Sequence, residues 1–158
     1  AGLSWLTVLR KIDNFMKQFD KFDFKKVSQY GDKDISRCLV NPGIIRHRGK
    51  IESTINNAKK AIELVNEFGS LASFFWSFEP GMKNRPEKLT FAVANQITMS
   101  AESIALSKAL KKRGWTFVGP TICYSFMQAM GIVNDHVLGC SRRDDIETLR
   151  DVLIRPNL

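Results

Sequence analysis

Apolar residues recur at helical spacing along nearly the whole chain of 158 residues. The longest such stretch runs from Lys50 to Phe68, and another spans residues 2–18. Asp23, and then either Asp32 or Asp34, precede two shorter stretches as predicted N-caps. No segment shows the sustained alternation of apolar and polar residues that is typical of a strand. The pattern therefore predicts an all-α protein, a compact helical domain with short loops.

The charge of the chain favours a polyanionic partner. Lys and Arg number 24 against 16 Asp and Glu, so the formal net charge is +8. Charge alone leaves open both a nucleic-acid partner and a basic protein with no such role. The sequence contains no phosphate-binding loop, dinucleotide fingerprint or Ser-His-Asp order, which argues against the enzyme classes that depend on them.

The order of residues along the chain predicts an intracellular, cytoplasmic protein. No run of about 18 apolar residues is present, so no membrane span is expected. The first eleven residues turn from apolar to basic, the reverse of a signal peptide. Three cysteines do not suggest a disulfide framework. The chain also starts without Met inside an apolar pattern, from which we expect that an N-terminal segment is missing.

A basic helix end, a glycine-bounded turn and a new helix follow one another near residue 114. Amide groups at such a turn and in a helix's first turn lack intrahelical partners and can face a phosphate. The alternative is a helix C-terminus that attracts cations through its dipole, followed by an ordinary turn. The candidate DNA-contacting residues here are Lys111, Lys112, Arg113, Gly114, Gly119 and Thr121.

Two further segments have a possible chemical role. His136 and Cys140 are four residues apart and can share a face for one metal ion, although from the spacing alone a capped turn with a buried cysteine is the better interpretation. Residues 43–50, GIIRHRGK, form a basic loop before the longest helix. This loop could contact phosphates, or it could be a solvated loop whose glycines serve its geometry.

Four segments together resemble one known family. They are AGLSW (1–5), GIIRHRGKI (43–51), SKALKKRG (107–114) and FVGPTICYSFMQAMGIVNDHVLGC (117–140). They are similar to the Tag-type 3-methyladenine DNA glycosylases of the helix-hairpin-helix superfamily. The resemblance implies a helix-hairpin-helix glycosylase domain at 1–140, lacking the family's N-terminal segment, and a C-terminal helical extension at 141–158.

The resemblance also implies an activity. A member of this family is a monofunctional base-excision repair enzyme, which flips 3-methyladenine out of alkylated double-stranded DNA and hydrolyses its N-glycosidic bond. The expected protein is a monomer. The alternative is a non-catalytic helix-hairpin-helix fragment that only binds DNA.

Family roles carry over to several residues of this chain. Trp5 matches the tryptophan that stacks on the flipped base, and Ser125 matches a serine near the lesion. Gly2 and Leu3 match the pair that fills the gap in the duplex. The glutamate that contacts the methylated base lies upstream of Ala1 in the family, so no catalytic residue is assigned. His136 and Cys140 match two of four ligands of a structural zinc, which is the expected cofactor.

Overall fold

The computed structural model describes residues 4–81 and 89–156, except for the side chain of Trp5, and it confirms the all-α prediction. The helices are α1 (Trp5–Leu9), α2 (Ile12–Gln18), α3 (Phe24–Val27), α4 (Asp32–Val40), α5 (Arg48–Phe68), α6 (Leu71–Trp76), α7 (Phe91–Ala94), α8 (Ala101–Lys112), α9 (Pro120–Ala129) and α10 (Ser141–Val152), with a 3-10 turn at Asp20–Phe22. The succession of α8, a short turn and α9 is consistent with the expected helix-hairpin-helix. None of the helices within the described ranges combines the length and low polarity that crossing a bilayer requires.

The chain folds into two compact units that interrupt one another in sequence. The first unit contains the described residues up to Glu67 together with Arg113–Phe117. The second unit contains Phe68–Lys112 and the chain from Val118 onward. Helix α10 belongs to the second unit, and the domain boundary expected after residue 140 stays a prediction.

The first unit encloses a small apolar core that α5 shares with the preceding helices. Its buried members are Phe19, Val27, Cys38, Ile44, Ile51, Ile55 and Ala58. Burial of these side chains contributes the main favourable free energy of this unit, at about 25 cal/mol per Å² of apolar surface. The core places the N-terminal half of α5 beside the loop that precedes it.

The helix starts of the first unit are only partly as predicted. Asp23 caps α3, because its carboxylate accepts from the backbone N–H groups of Lys25 and Lys26 at 3.0 and 3.3 Å. Gly31, rather than either predicted aspartate, is the N-cap of α4, and Asp34 accepts from the Gly31 N–H at 3.1 Å. The expected helix at 2–18 is broken at residues 10–11 into α1 and α2.

The second unit is built around the packing of α8 on α9. Both helices contribute to a set of buried side chains: Leu106, Leu110, Cys123, Met127 and, just beyond α9, Ile132. Ser100 and Ser103 cap α8 reciprocally, since each hydroxyl accepts the other's backbone N–H at 2.9 and 3.1 Å. This start and the buried face of α8 fix the position of its basic C-terminal end.

Candidate nucleic-acid interface

Polar side chains of α5 hold the turn segment Arg113–Phe117 within the first unit. Asn57 accepts from the backbone N–H of Thr116 at 3.0 Å and donates to its carbonyl at 2.9 Å. Asn56 donates to the carbonyl of Gly114 at 2.9 Å, and Ser53 donates to the Thr116 carbonyl at 3.2 Å. We call Ser53, Asn56 and Asn57 the α5 bracket. It pairs the backbone of the turn much as a neighbouring strand would.

The backbone of the bracketed turn is strongly bent. Gly114 has φ +81°, and a Cβ at this position would lie 3.3 Å from Cε of Lys60. Phe117 has φ +56°, a left-handed conformation that a residue with a large side chain rarely adopts. The bracket therefore fixes a conformation that the turn residues would not favour by themselves.

Arg113 is held by a bidentate ion pair rather than left free on the surface. Its Nη2 lies 2.8 Å and its Nε 3.3 Å from the two carboxylate oxygens of Glu67. The guanidinium lowers the pKa of Glu67 below its ordinary value. Part of the Arg113 charge is thus neutralised within the protein.

In the second unit, α8 ends and α9 begins with groups suited to an anion. Lys111 and Lys112 are exposed in the last turn of α8. Gly119 is the N-cap of α9 with an extended backbone, Pro120 occupies the first position, and Thr121 is exposed. The first-turn amides of a helix that begins this way have no intrahelical acceptor. These predicted residues therefore lie in the local conformations that phosphate binding requires, and their contact with DNA stays a prediction.

One hydrogen bond that positions the start of α9 was not predicted from the sequence. The buried hydroxyl of Ser107 donates to the carbonyl of Val118 at 2.6 Å, which ties α8 to the residue just before the α9 N-cap. In the sequence, the only sign of such hydrogen bonds is the presence of small polar residues on amphipathic helices, namely Ser107 on α8 and the members of the α5 bracket. Sequence alone does not say which carbonyl such a side chain will meet.

The expected base-pocket residues are only partly described by the structure. Gly2, Leu3 and the side chain of Trp5 lie outside the described residues. Ser125 is half-buried on α9. The roles that the resemblance gives these four residues remain predictions.

A carboxylate network lies at the end of α9. Asp135 accepts from the Tyr124 hydroxyl at 2.5 Å and from the side-chain amide of Gln128 at 2.8 Å. Burial, followed by these contacts with Asp135, raises the pKa of Tyr124. Tyr124 and Asp135, with Asn134 and Arg143, border a cavity of about 70 Å³, which is large enough for water. Asp135 is thus held as an acceptor inside the second unit.

The predicted zinc site is wrong. His136 Nδ1 and Cys140 Sγ do lie 3.4 Å apart. In the part of the chain that the structure describes, however, no three His, Cys, Asp or Glu side chains come together as a metal site would require. A structural zinc needs four ligands, and a single His–Cys pair supplies two. This pair instead joins the two ends of a short turn that leads into α10.

Several known proteins are similar to this chain over most of its length. The family model described as methyladenine glycosylase matches residues 1–143. DNA-3-methyladenine glycosylase 1 of Escherichia coli is 48% identical over 141 residues, which are 89% of this chain and 74% of that protein. The DNA-3-methyladenine glycosylase of Haemophilus influenzae is 41% identical over 143 residues, covering 89% and 75%.

Solved structures of similar proteins share the backbone fold of this chain. A crystal structure of 3-methyladenine DNA glycosylase I superposes with a TM-score of 0.80 at 46% identity, covering 89% of this chain and 76% of that one. The 3-methyladenine DNA glycosylase I of Staphylococcus aureus, solved to explain 3-methyladenine recognition, gives 0.82 at 34% identity, covering 90% and 75%. Sequence and fold therefore point to the group that the four segments resemble.

Proposed function

The chain belongs to the methyladenine glycosylase family and is a DNA-3-methyladenine glycosylase, and we propose that it acts as a monomer on alkylated double-stranded DNA. The observation that carries this function is the family match over residues 1–143 together with the 48% identity. An enzyme with this substrate works where the genome is, so we place it inside the cell. The non-catalytic alternative is not favoured.

The chemistry is hydrolysis of the N-glycosidic bond. Methylation at N3 makes the base cationic, and so a good leaving group. The electron pair of the bond leaves with the base, and neutral 3-methyladenine is released. A water oxygen bonds to C1′ and its proton passes to solvent, so an abasic site remains. The protein's main contribution is to extrude, recognise and orient the base.

The DNA backbone is proposed to bind at the turn between α8 and α9. Exposed Lys111 and Lys112 supply sequence-independent attraction, and the α9 amides near Gly119 and Thr121 supply directed donors. Within the first unit, Asn56 holds the carbonyl of Gly114, and a turn that is preorganised in this way loses little entropy on binding.

The pocket is proposed to follow the family's assignments. Trp5 stacks on the flipped base, Ser125 lies near the lesion, and Gly2 and Leu3 fill the space that the base leaves. A cationic base gains more from stacking on an aromatic face than neutral adenine does. Specificity for the methylated base follows from that difference.

Release of free 3-methyladenine from alkylated duplex DNA tests the function. The chain is expected to release it, and Trp5→Ala is expected to slow release about tenfold or more, since one base–aromatic stack is worth about 1–3 kcal/mol. Phe91→Ala removes an aromatic that is 71% exposed on α7 and is expected to change nothing. Salt-sensitive DNA binding without any base release would instead support the non-catalytic alternative.

A further inference from the structure

The basic loop at residues 43–50 lies against the bracketed turn within the first unit. The His47 ring meets the Phe117 ring edge-on, with centroids 6.3 Å apart and an interplanar angle of 83°. Gly49 passes beside both rings, because a Cβ there would lie 3.3 Å from His47 Cε1 and 3.9 Å from Phe117 Cζ. The loop and the turn therefore form one continuous surface.

Phe117 is an aromatic residue exposed at some energetic cost. Its side chain is 51% exposed, and its φ of +56° is unfavourable for any residue other than glycine or, less so, asparagine. Apolar burial does not account for half of this ring, and the turn does not require a phenylalanine. Strain of this kind is concentrated at sites that bind or react.

The loop carries positive charge with little internal compensation. From Ile35 to Ile51 the sequence contains no Asp or Glu. Arg48 pairs with Glu52 at 3.2 Å, whereas Arg46 is exposed and forms no ion pair among the described residues. Nδ1 of His47 accepts the backbone N–H of Lys50 at 3.2 Å, which leaves Nε2 as the ring nitrogen that can donate outward. Arg46 and His47 thus offer a cation and an N–H donor beside the Phe117 ring.

We propose that Arg46, His47 and Phe117 form a second DNA-contacting surface, in which the loop before α5 and the Phe117 end of the bracketed turn contact the duplex together. Arg46 and the Nε2–H of His47 contact phosphate oxygens, and the Phe117 ring packs on a deoxyribose of the same strand. Phosphate contacts position a duplex without reading its sequence. This surface rests on the proposed function and extends its DNA contact to the loop before α5.

The test is the salt dependence of binding to undamaged duplex DNA, measured by fluorescence anisotropy. The plot of log K against log salt has a negative slope. Arg46→Gln is expected to make this slope less steep by about 0.9, which corresponds to the loss of one phosphate contact. Lys33→Gln removes the same charge from an exposed position on α4 of the same unit and is the matched control. It is expected to keep the wild-type slope. Equal slopes for the two variants would overturn the proposal.

A second variant tests the ring. Phe117→Asn keeps a residue that tolerates the left-handed backbone and removes the aromatic surface. Affinity for undamaged duplex is expected to fall about tenfold with an unchanged salt slope, as for loss of one apolar contact. If this variant binds undamaged duplex with unchanged affinity, the Phe117 ring does not contact DNA and that part of the proposal is wrong.

Base release separates this proposal from the proposed function. At limiting alkylated DNA, the Arg46 and Phe117 variants are expected to lower kcat/KM for 3-methyladenine release by the same factor as their loss of duplex affinity. A wild-type chain that binds duplex but releases no base would contradict the function and not the surface. A wild-type chain that releases base while Arg46→Gln keeps the wild-type slope would contradict only the surface.

Discussion

A single amide side chain fixes the turn proposed to bind DNA. Asn57 pairs both backbone groups of Thr116, and Thr116 is itself exposed. Asn57→Ala leaves that N–H to water and the carbonyl to Ser53, so we expect a loss of about 1 kcal/mol in the free energy of unfolding. DNA affinity is expected to fall further than this modest loss suggests, because the turn is no longer preorganised. Urea unfolding and anisotropy on the same samples measure both quantities.

Asn66→Ala is the matched control for Asn57→Ala, since Asn66 is an exposed asparagine on the same helix. It is expected to change neither quantity. If Asn57→Ala lowered the free energy of unfolding and left DNA affinity unchanged, the α5 bracket would have only a structural role.

The three cysteines differ in accessibility, and this gives a second prediction. Cys38 and Cys123 are buried, and burial raises the pKa of the Cys123 thiol to about 11. Since the reacting species is the thiolate, Cys123 stays protonated near pH 8. Cys140 is half-buried at the start of α10. We therefore expect one fast-reacting thiol per native chain with a coloured disulfide reagent at pH 8.

Cys140→Ser is expected to abolish the fast phase, and urea is expected to expose the two remaining thiols. A native chain in which all three thiols react slowly would mean that Cys140 is protected by something the described residues do not include.

At the scale of an element, the turn between α8 and α9 depends on glycine at one position. Gly114 has φ +81°, and a Cβ there would press on Cε of Lys60, the end of a flexible side chain. The backbone strain dominates, so Gly114→Ala is expected to destabilise the protein by about 1–2 kcal/mol. The bracketed carbonyl of Gly114 would shift as well, so weaker DNA binding is expected. Thermal unfolding and anisotropy check both effects.

Gly81→Ala serves as the reference for Gly114→Ala. A Cβ at Gly81 meets nothing within 4 Å, and the residue is exposed. Its melting temperature is expected to stay at the wild-type value. A Gly114 variant as stable as this one would mean that the turn relaxes without cost.

Local chemistry determined which elements could be predicted from sequence. Long amphipathic stretches such as α5, and caps such as Asp23, depend on residues close in sequence, and the structure confirms them. The break at residues 10–11 was not predicted, because the apolar spacing continues across it. The α5 bracket was missed for a different reason. Asn57 and Thr116 are 59 positions apart, and periodicity carries no information about such a pairing.

The candidate site shows the same limit at the scale of the molecule. The family and its activity were recognisable because long motifs around residues 117–140 carry both. The zinc expectation failed because His136 and Cys140 meet as predicted, while no further ligand joins them within the described residues. Resemblance to a family therefore predicted the fold correctly. The ligand roles carried over from the family failed, because a metal site also needs ligands that the described residues do not bring together.

Helix α10 looked like an appendage in sequence, yet it is anchored in the second unit. Arg150 is only 4% exposed and donates to Glu79 at 2.7 Å and to the carbonyl of Gly131. Arg155 reaches the same carboxylate at 2.8 Å and lies over the Trp76 ring. A largely buried carboxylate shared by two guanidinium groups ties the segment after α10 to the segment after α6.

Removal of this anchor should loosen one unit and spare the other. Arg150→Met leaves Glu79 with Arg155 alone in a largely buried position, so a loss of about 3 kcal/mol is expected. Hydrogen exchange should rise in α8, α9 and α10, while the amides of α5 in the first unit keep their protection, if the two units open separately. Arg142→Met, on the same helix with a 73% exposed side chain in a surface ion pair, should cost less than about 1 kcal/mol. Equal loss of protection in α5 and α9 would mean that the two units unfold as one cooperative body, since the anchor's free energy would then be shared by the whole chain.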